Sequence, residues 1–322
     1  MTTIPLLEVQ KAEVTILVDN YTDLLLGDTG TVKRLRIPPP DAPLAEHGLA
    51  YLVTVFGADG KHTILMDAGI SGLCLHHNAA LLKSSLSVQF GVVTHSLDDI
   101  ECVVLSHGHF DHFGGLPQFL NKTGKQVSLL VHPGAFAARR IKLVPEFHMD
   151  MPVLSEETLR AGGALVEKRS QVSTFAGGNI VLSGTVARTT SFETGSPVLE
   201  TQQDGKWRQD PFEDDQAIAF NLKDRGLVVI GGCSHAGIIN TIEHFRTITG
   251  IDRVHAVLGG FHLSGAGEAL IEPTLAAMQK IAPDLLVPTH CTGWKAINAF
   301  ETAMPDAFVL NTVGTTYLFG EH

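Results

Sequence analysis

Residues 102–116 read Cys102-Val103-Val104-Leu105-Ser106-His107-Gly108-His109-Phe110-Asp111-His112-Phe113-Gly114-Gly115-Leu116. The first four residues are a short, fully apolar run, which suits a buried strand. Three histidines and an aspartate follow within six positions. His107, His109 and Asp111 alternate, so in an extended segment they point the same way. His112 comes at a bend, and Gly114-Gly115 frees the backbone for a tight turn into a helix. Imidazole nitrogen and carboxylate oxygen are ligands that zinc, iron and manganese accept. Four such side chains so close together can serve two metal ions, two ligands each.

The same arrangement recurs downstream. The apolar run at residues 227–230 leads into Gly231-Gly232-Cys233-Ser234-His235, that at 254–258 into Gly259-Gly260-Phe261-His262, and that at 285–287 into Pro288-Thr289-His290-Cys291-Thr292-Gly293. In sheets with β-α connections, sites gather at the carboxyl ends of strands. His290 is therefore expected as a metal ligand, with at least one of Cys233 and His235. His262 is expected to contact substrate. Asp67, also at a strand end, either orients a metal-bound histidine through its free ring N–H or caps the following turn. Glu46 and His47 are expected at the cleft, contacting substrate or supporting the ligands, and Asp19 and Asn20 are further polar groups beside strands. His76-His77 reads as helix surface and His132 as a structural strand-to-turn residue.

Strands are expected at residues 14–18, 49–56 and 62–66, the last two joined by a hairpin turn at Gly57-Ala58-Asp59-Gly60. A helix is expected over 73–86. Further helices are expected at 238–248, 268–281 and 294–303, alternating with strands as in β-α units. Residues 170–222 read as hairpins carrying a long polar loop at 191–215. No linker stands out in residues 1–322, so a single domain with two sheets and outer helices is expected.

The 322 residues carry 44% hydrophobic and 18% charged side chains, a globular composition that excludes disorder. A net charge of −11 disfavours a broad nucleic-acid face. No apolar run approaches the ~18 residues of a membrane span, and the first residues lack a signal-peptide profile. Four cysteines do not make a disulfide framework. A reduced, soluble, cytoplasmic protein with a small-molecule substrate is expected, with no nucleic-acid or membrane partner; a homo-oligomer is left open.

The run from His107 to His112, preceded by an apolar strand and followed by Gly-Gly-Leu, resembles the principal metal motif of the metallo-β-lactamase superfamily. Asp67 and His290 match that superfamily's early acid and last metal histidine. The resemblance covers roughly residues 13–320. It implies a four-layer αββα sandwich of the α/β (α+β) class with a dinuclear cleft at one edge, usually zinc, with iron or manganese as alternatives. The superfamily's usual middle histidine has no match at 140–225; His148 lacks its flanks. Cys233 then occupies the place of the bridging acid, and His235 stands in for the missing histidine. The motifs at 16–20, 45–48, 232–235, 259–263 and 289–293 together resemble the subgroup containing a dihydropterin ribofuranosyl-aminobenzene phosphate synthase, an enzyme of methanopterin-type cofactor synthesis.

On that reading His107, His109 and His235 serve one metal, Asp111, His112 and His290 the other, with Cys233 near both. Asp111 steers the attacking water or accepts its proton. Hydrolysis of a small anionic or phosphorylated substrate by metal-activated hydroxide is the leading expectation. A synthase using the same metals is the alternative, and a non-catalytic metal- or ligand-binding protein a further one. A redox di-iron role has suitable ligands but no visible flavin-binding domain. Gly259-Gly260 either offers free amides to an anion or simply lets strand and helix pack closely.

Overall fold

Period-two burial builds the frame. In strand β4 (Ala50–Gly57), Tyr51, Val53 and Val55 enter one core while Ala50 and Leu52 enter another. A strand buried on both faces must be covered on both, so the sheet takes a second sheet on one side and helices on the other. The computed structural model describes residues 3–85, 96–144 and 146–321. The end of the helix expected over 73–86 lies outside them.

The first sheet runs β10 (Ala164–Lys168), β7 (Val127–Val131), β6 (Cys102–Val104), β5 (Gly60–Met66), β4, β2 (Lys11–Val18), β19 (Thr316–Gly320), β3 (Val32–Lys33). The second runs β11 (Ser173–Phe175), β12 (Ile180–Leu182), β15 (Ile218–Leu222), β16 (Gly226–Ile230), β17 (Val254–Gly260), β18 (Leu285–Thr289), with β1 (Glu8–Val9) beside β15. The core between them joins Val14, Tyr51, Met66 and Val104 to Phe220, Ile230, Leu258 and Val287. Helices α1 (Gly72–Ser84), α2 (Phe110–Phe113), α3 (Leu116–Thr123) and α4 (Glu156–Ala161) belong to the first half of the chain. Leu75, Leu116, Phe119 and Leu159 pack on the outer face of the first sheet. Helices α5 (Ile238–Thr249), α6 (Glu268–Ile281) and α7 (Trp294–Ala303) cover the second sheet through Phe245, Met278 and Phe300. This is the expected αββα sandwich. None of the helices among the described residues is long and apolar enough to cross a membrane.

One expectation fails. Residues 191–215 are not a plain polar loop: β13 (Leu199–Gln203) and β14 (Lys206–Gln209) form a hairpin within them. The hairpin pairs with β8 (Arg139–Val144), which pairs with β9 (Phe147–Asp150), giving a third, four-stranded sheet. Polar side chains hide the strand period here, but Asp204 (φ 50°) and Gly205 (φ 73°) form the two-residue left-handed turn that Asp-Gly favours. His148 lies on β9, 3.6 Å from Glu200.

Candidate metal centre

Strands β5 and β6 are parallel neighbours, as are β16, β17 and β18. Their carboxyl ends deliver the side chains that meet. Asp67 follows β5, residues 106–112 follow β6, Cys233 and His235 follow β16, His262 follows β17, and His290 and Cys291 follow β18. The expected extended run through Asp111 is interrupted, because α2 begins at Phe110. The helical turn sends Asp111 away from His107 and His109. Two donor sets result, each with its ligand atoms within 4.8 Å of one another: Asp111, His112, Cys233 and His290, and His107, Cys233 and His235. His109 lies beside the second set, its Nδ1 3.1 Å from His235 Nε2. Cys233 Sγ lies 3.1 Å from His112 Nε2, and Asp111 Oδ2 lies 3.3 Å from His290 Nε2. Gly232 makes this approach possible: a Cβ there would fall 2.3 Å from Ser106 Oγ.

Buried acids hold the ligands in place. Asp67 is fully buried, accepts from the Ser106 amide and hydroxyl, and takes the His112 Nδ1–H at 2.7 Å. That leaves His112 Nε2 facing Cys233 Sγ and Asp111 Oδ2 of its own donor set. Asp67 also has φ 62°, a conformation asparagine tolerates. Asp67→Asn is therefore expected to fold, yet to lose about 10–100-fold in metal affinity, the usual cost of losing such an orienting partner. Chelator competition checks this, and unchanged affinity would remove Asp67 from the role.

Three other supports had no role assigned from the sequence. Asp19 accepts from the Thr289 hydroxyl, the His290 amide and Asn311 Nδ2, fixing the end of β18. Asn20 donates to the His290 carbonyl. Asp214 accepts the Gly108 amide at 2.9 Å and Arg139 Nη2 at 2.7 Å, while Arg139 Nε reaches Asp210 at 2.8 Å. Asp19 carried a legible signal, an acid straight after an apolar strand. The Arg139 network carried none, since its partners lie some seventy residues away.

Burial holds the His107 and His235 imidazoles well below their ordinary pKa and His109 at about 3, so all three are neutral lone-pair donors at neutral pH. Burial also works against charge on His112, but Asp67 and Asp111 lift it to about 9. For Asp111, burial is outweighed by His112 and His290, which keep its carboxyl below the usual range. Burial pushes Asp215 up to about 7; it accepts the Ala236 amide at 2.8 Å beside His235.

His47 stands exposed at the mouth, its Nε2 3.4 Å from Asp111 Oδ2. Glu46 turns elsewhere: it accepts the Ile70 and Ser71 amides and the Ser71 hydroxyl, closing the loop before α1. The Gly259-Gly260 amides offer no anion cradle. Gly260 N–H is taken by the Gly232 carbonyl, and a Cβ on Gly260 would lie 2.6 Å from Cys291 Sγ, so close packing explains the glycines. His76 and His77 are half-buried on α1 rather than free surface; His76 stacks on Phe119 and His77 meets the Ala42 carbonyl.

The donor chemistry suits zinc, which takes imidazole, thiolate and carboxylate. Among the described residues, His107 Nε2, His109 Nε2 and His235 Nδ1 are buried without a hydrogen-bond partner. Buried polar atoms are seldom left so, and a cation satisfies them. Above the donors opens a cleft of about 360 Å³. His47, His235, His262 and His290 line it along with Phe110, Ile141, Met151 and Leu199, and no Lys or Arg is among its lining residues.

Residues 44–172 match the metallo-beta-lactamase superfamily, and the chain belongs to that superfamily. It is 30% identical over 270 residues to the 7,8-dihydropterin-6-methyl-4-(beta-D-ribofuranosyl)-aminobenzene-5'-phosphate synthase of Methanocaldococcus jannaschii, covering 82% of this chain and 87% of that protein. An uncharacterized protein of the same organism is 27% identical over 84% of this chain and 92% of its own length. A metal-dependent hydrolase of the beta-lactamase superfamily has the same fold, with a TM-score of 0.70 at 22% identity over 96% of this chain and all of that one. Zn(2+)-bound PqqB from Methylobacterium extorquens aligns with a TM-score of 0.52 at 13% identity, covering 94% and 99% of the two chains.

Proposed function

We propose that the protein is a metal-dependent hydrolase of small molecules with a dinuclear centre, zinc being the ion its donors suit best. The observation that carries this is the pair of donor sets sharing Cys233 beneath an open cleft. His107, His109 and His235 would hold one ion, and Asp111, His112 and His290 the other, with Cys233 between. Such ions lower the pKa of bound water toward neutrality and polarise a carbonyl or phosphoryl oxygen.

The chain's own groups supply the rest. Asp111, held ionised, orients the attacking water beside His47, which stands 3.4 Å away and open to solvent. Phe110, Ile141, Met151 and Leu199 exclude water from one wall and pack an apolar or planar part of the substrate. With no Lys or Arg among the described residues lining the cleft, the charge of a substrate phosphate or carboxylate would be left for the metal ions to meet.

The Methanocaldococcus jannaschii relative favours a second reading. The same centre would then activate a diphosphate leaving group for transfer of a pterin-methyl group to an aromatic ribofuranosyl phosphate. Assay of the zinc-loaded chain separates the two. Turnover of phosphodiesters, phosphate esters or lactones that vanishes on chelation and returns with zinc supports the hydrolase. Metal-dependent transfer without such turnover supports the synthase. Metal retained without turnover in either assay overturns both.

A further inference from the structure

Two potential ligands beside the centre are used by neither donor set. Cys291 Sγ, a His262 ring nitrogen and Cys233 Sγ lie within 4.8 Å of one another. They come from the ends of three adjacent parallel strands, β16, β17 and β18, so the sheet itself fixes their spacing. Cys233 and Cys291 are 3% and 7% exposed. His262 Nδ1 is buried and, among the described residues, has no hydrogen-bond partner.

The backbone is shaped around this group. Gly260 lacks the Cβ that would collide with Cys291 Sγ. His262 holds φ 46°, a conformation that costs a non-glycine residue of order 1 kcal/mol or more. Two contacts brace the turn: the Phe261 amide donates to Thr292 Oγ1, and the Ser264 amide to the Cys291 carbonyl. All three potential ligands also line the cleft. Three protein ligands with a fourth direction open to solvent is the arrangement of a reactive rather than a purely structural zinc site.

We propose that Cys233, His262 and Cys291 form a further, sulfur-rich cation site at the wall of the cleft, selective for thiophilic divalent ions such as zinc, cobalt or cadmium. Thiolates favour such ions over magnesium or calcium. Binding would leave two metal–sulfur bonds and one metal–nitrogen bond, with any thiol proton still present released to water. The proposal rests on the metal-centre reading only in sharing Cys233. It gives Cys291 a role that the dinuclear centre does not require, and it makes His262 a ligand rather than only a substrate contact.

Cobalt titration of the metal-free full-length chain tests it, because sulfur-to-cobalt charge transfer in the near ultraviolet scales with the number of Co–S bonds. At saturation the wild type should show a band that falls by about a quarter or more in Cys291→Ser, since at least one of its three or four Co–S bonds is lost, with the visible cobalt bands of the histidine sites retained. A band unchanged by Cys291→Ser overturns the proposal and leaves the dinuclear centre standing. Absence of the visible histidine-site bands in the wild type overturns the dinuclear centre instead. Should Cys291→Ser fail to fold, cadmium-soaked crystals of the wild type decide: an anomalous peak between Cys233 and Cys291 supports the site, and peaks confined to the histidine sets overturn it.

Discussion

His109→Ala is expected to strip most of the bound zinc and about a thousandfold of the activity while leaving the chain folded. A bound metal contributes several kcal/mol of transition-state stabilisation, and each 1.36 kcal/mol is about tenfold in rate. Folding should survive because the three large apolar cores between and outside the sheets contain no histidine. His109 Nε2 has no hydrogen-bond partner to lose among the described residues, and truncation deprives His235 Nε2 of its neighbour, at about 1 kcal/mol, and removes ring contacts with His107 and Phe212. Metal content by mass spectrometry and thermal melting check both halves. Wild-type metal content in the folded variant would remove His109 from the ligands.

Arg139→Met is expected to have the largest effect on stability. Arg139 is 4% exposed and sits between the buried carboxylates of Asp210 and Asp214. Removing the cation leaves two acids facing each other out of water, a loss of about 3–5 kcal/mol. For a chain of this size that is a fall of roughly 4–7 °C in Tm. Metal affinity should fall too, since Asp214 also holds the Gly108 amide between His107 and His109. Neutralising one acid in the same background, with Asp210→Asn, should recover part of the stability. A loss below about 1 kcal/mol, or no recovery, would show that the trio is not a buried charge network.

The parts legible in the sequence were those where burial leaves a period. Helices α6 and α7 span 268–281 and 294–303, as their apolar spacing indicates. The buried strands β6, β16, β17 and β18 are short apolar runs, and each is followed within three residues by histidine or cysteine. The site's location followed from those endings. What stayed hidden was set by contacts distant in sequence. The hairpin of β13 and β14 carries polar side chains on a small sheet with little core of its own, so only its Asp-Gly turn announces it. The division of Asp111 from His107 depends on α2 beginning one residue earlier in the chain, which alternation alone cannot reveal. Glu46 shows the converse: a polar residue beside a strand serves a loop of backbone amides as readily as a substrate.

The central claim is that the two histidine-bearing donor sets each hold a metal ion. It is tested most directly by a crystal structure of the zinc-loaded protein with anomalous scattering at the zinc edge. The account predicts one ion contacted by His107, His109 and His235, and another by Asp111, His112 and His290, at about 2.0–2.3 Å, with the Cys233 sulfur bound to at least one. Anomalous density absent from these residues, or ions held only by surface groups, would contradict it.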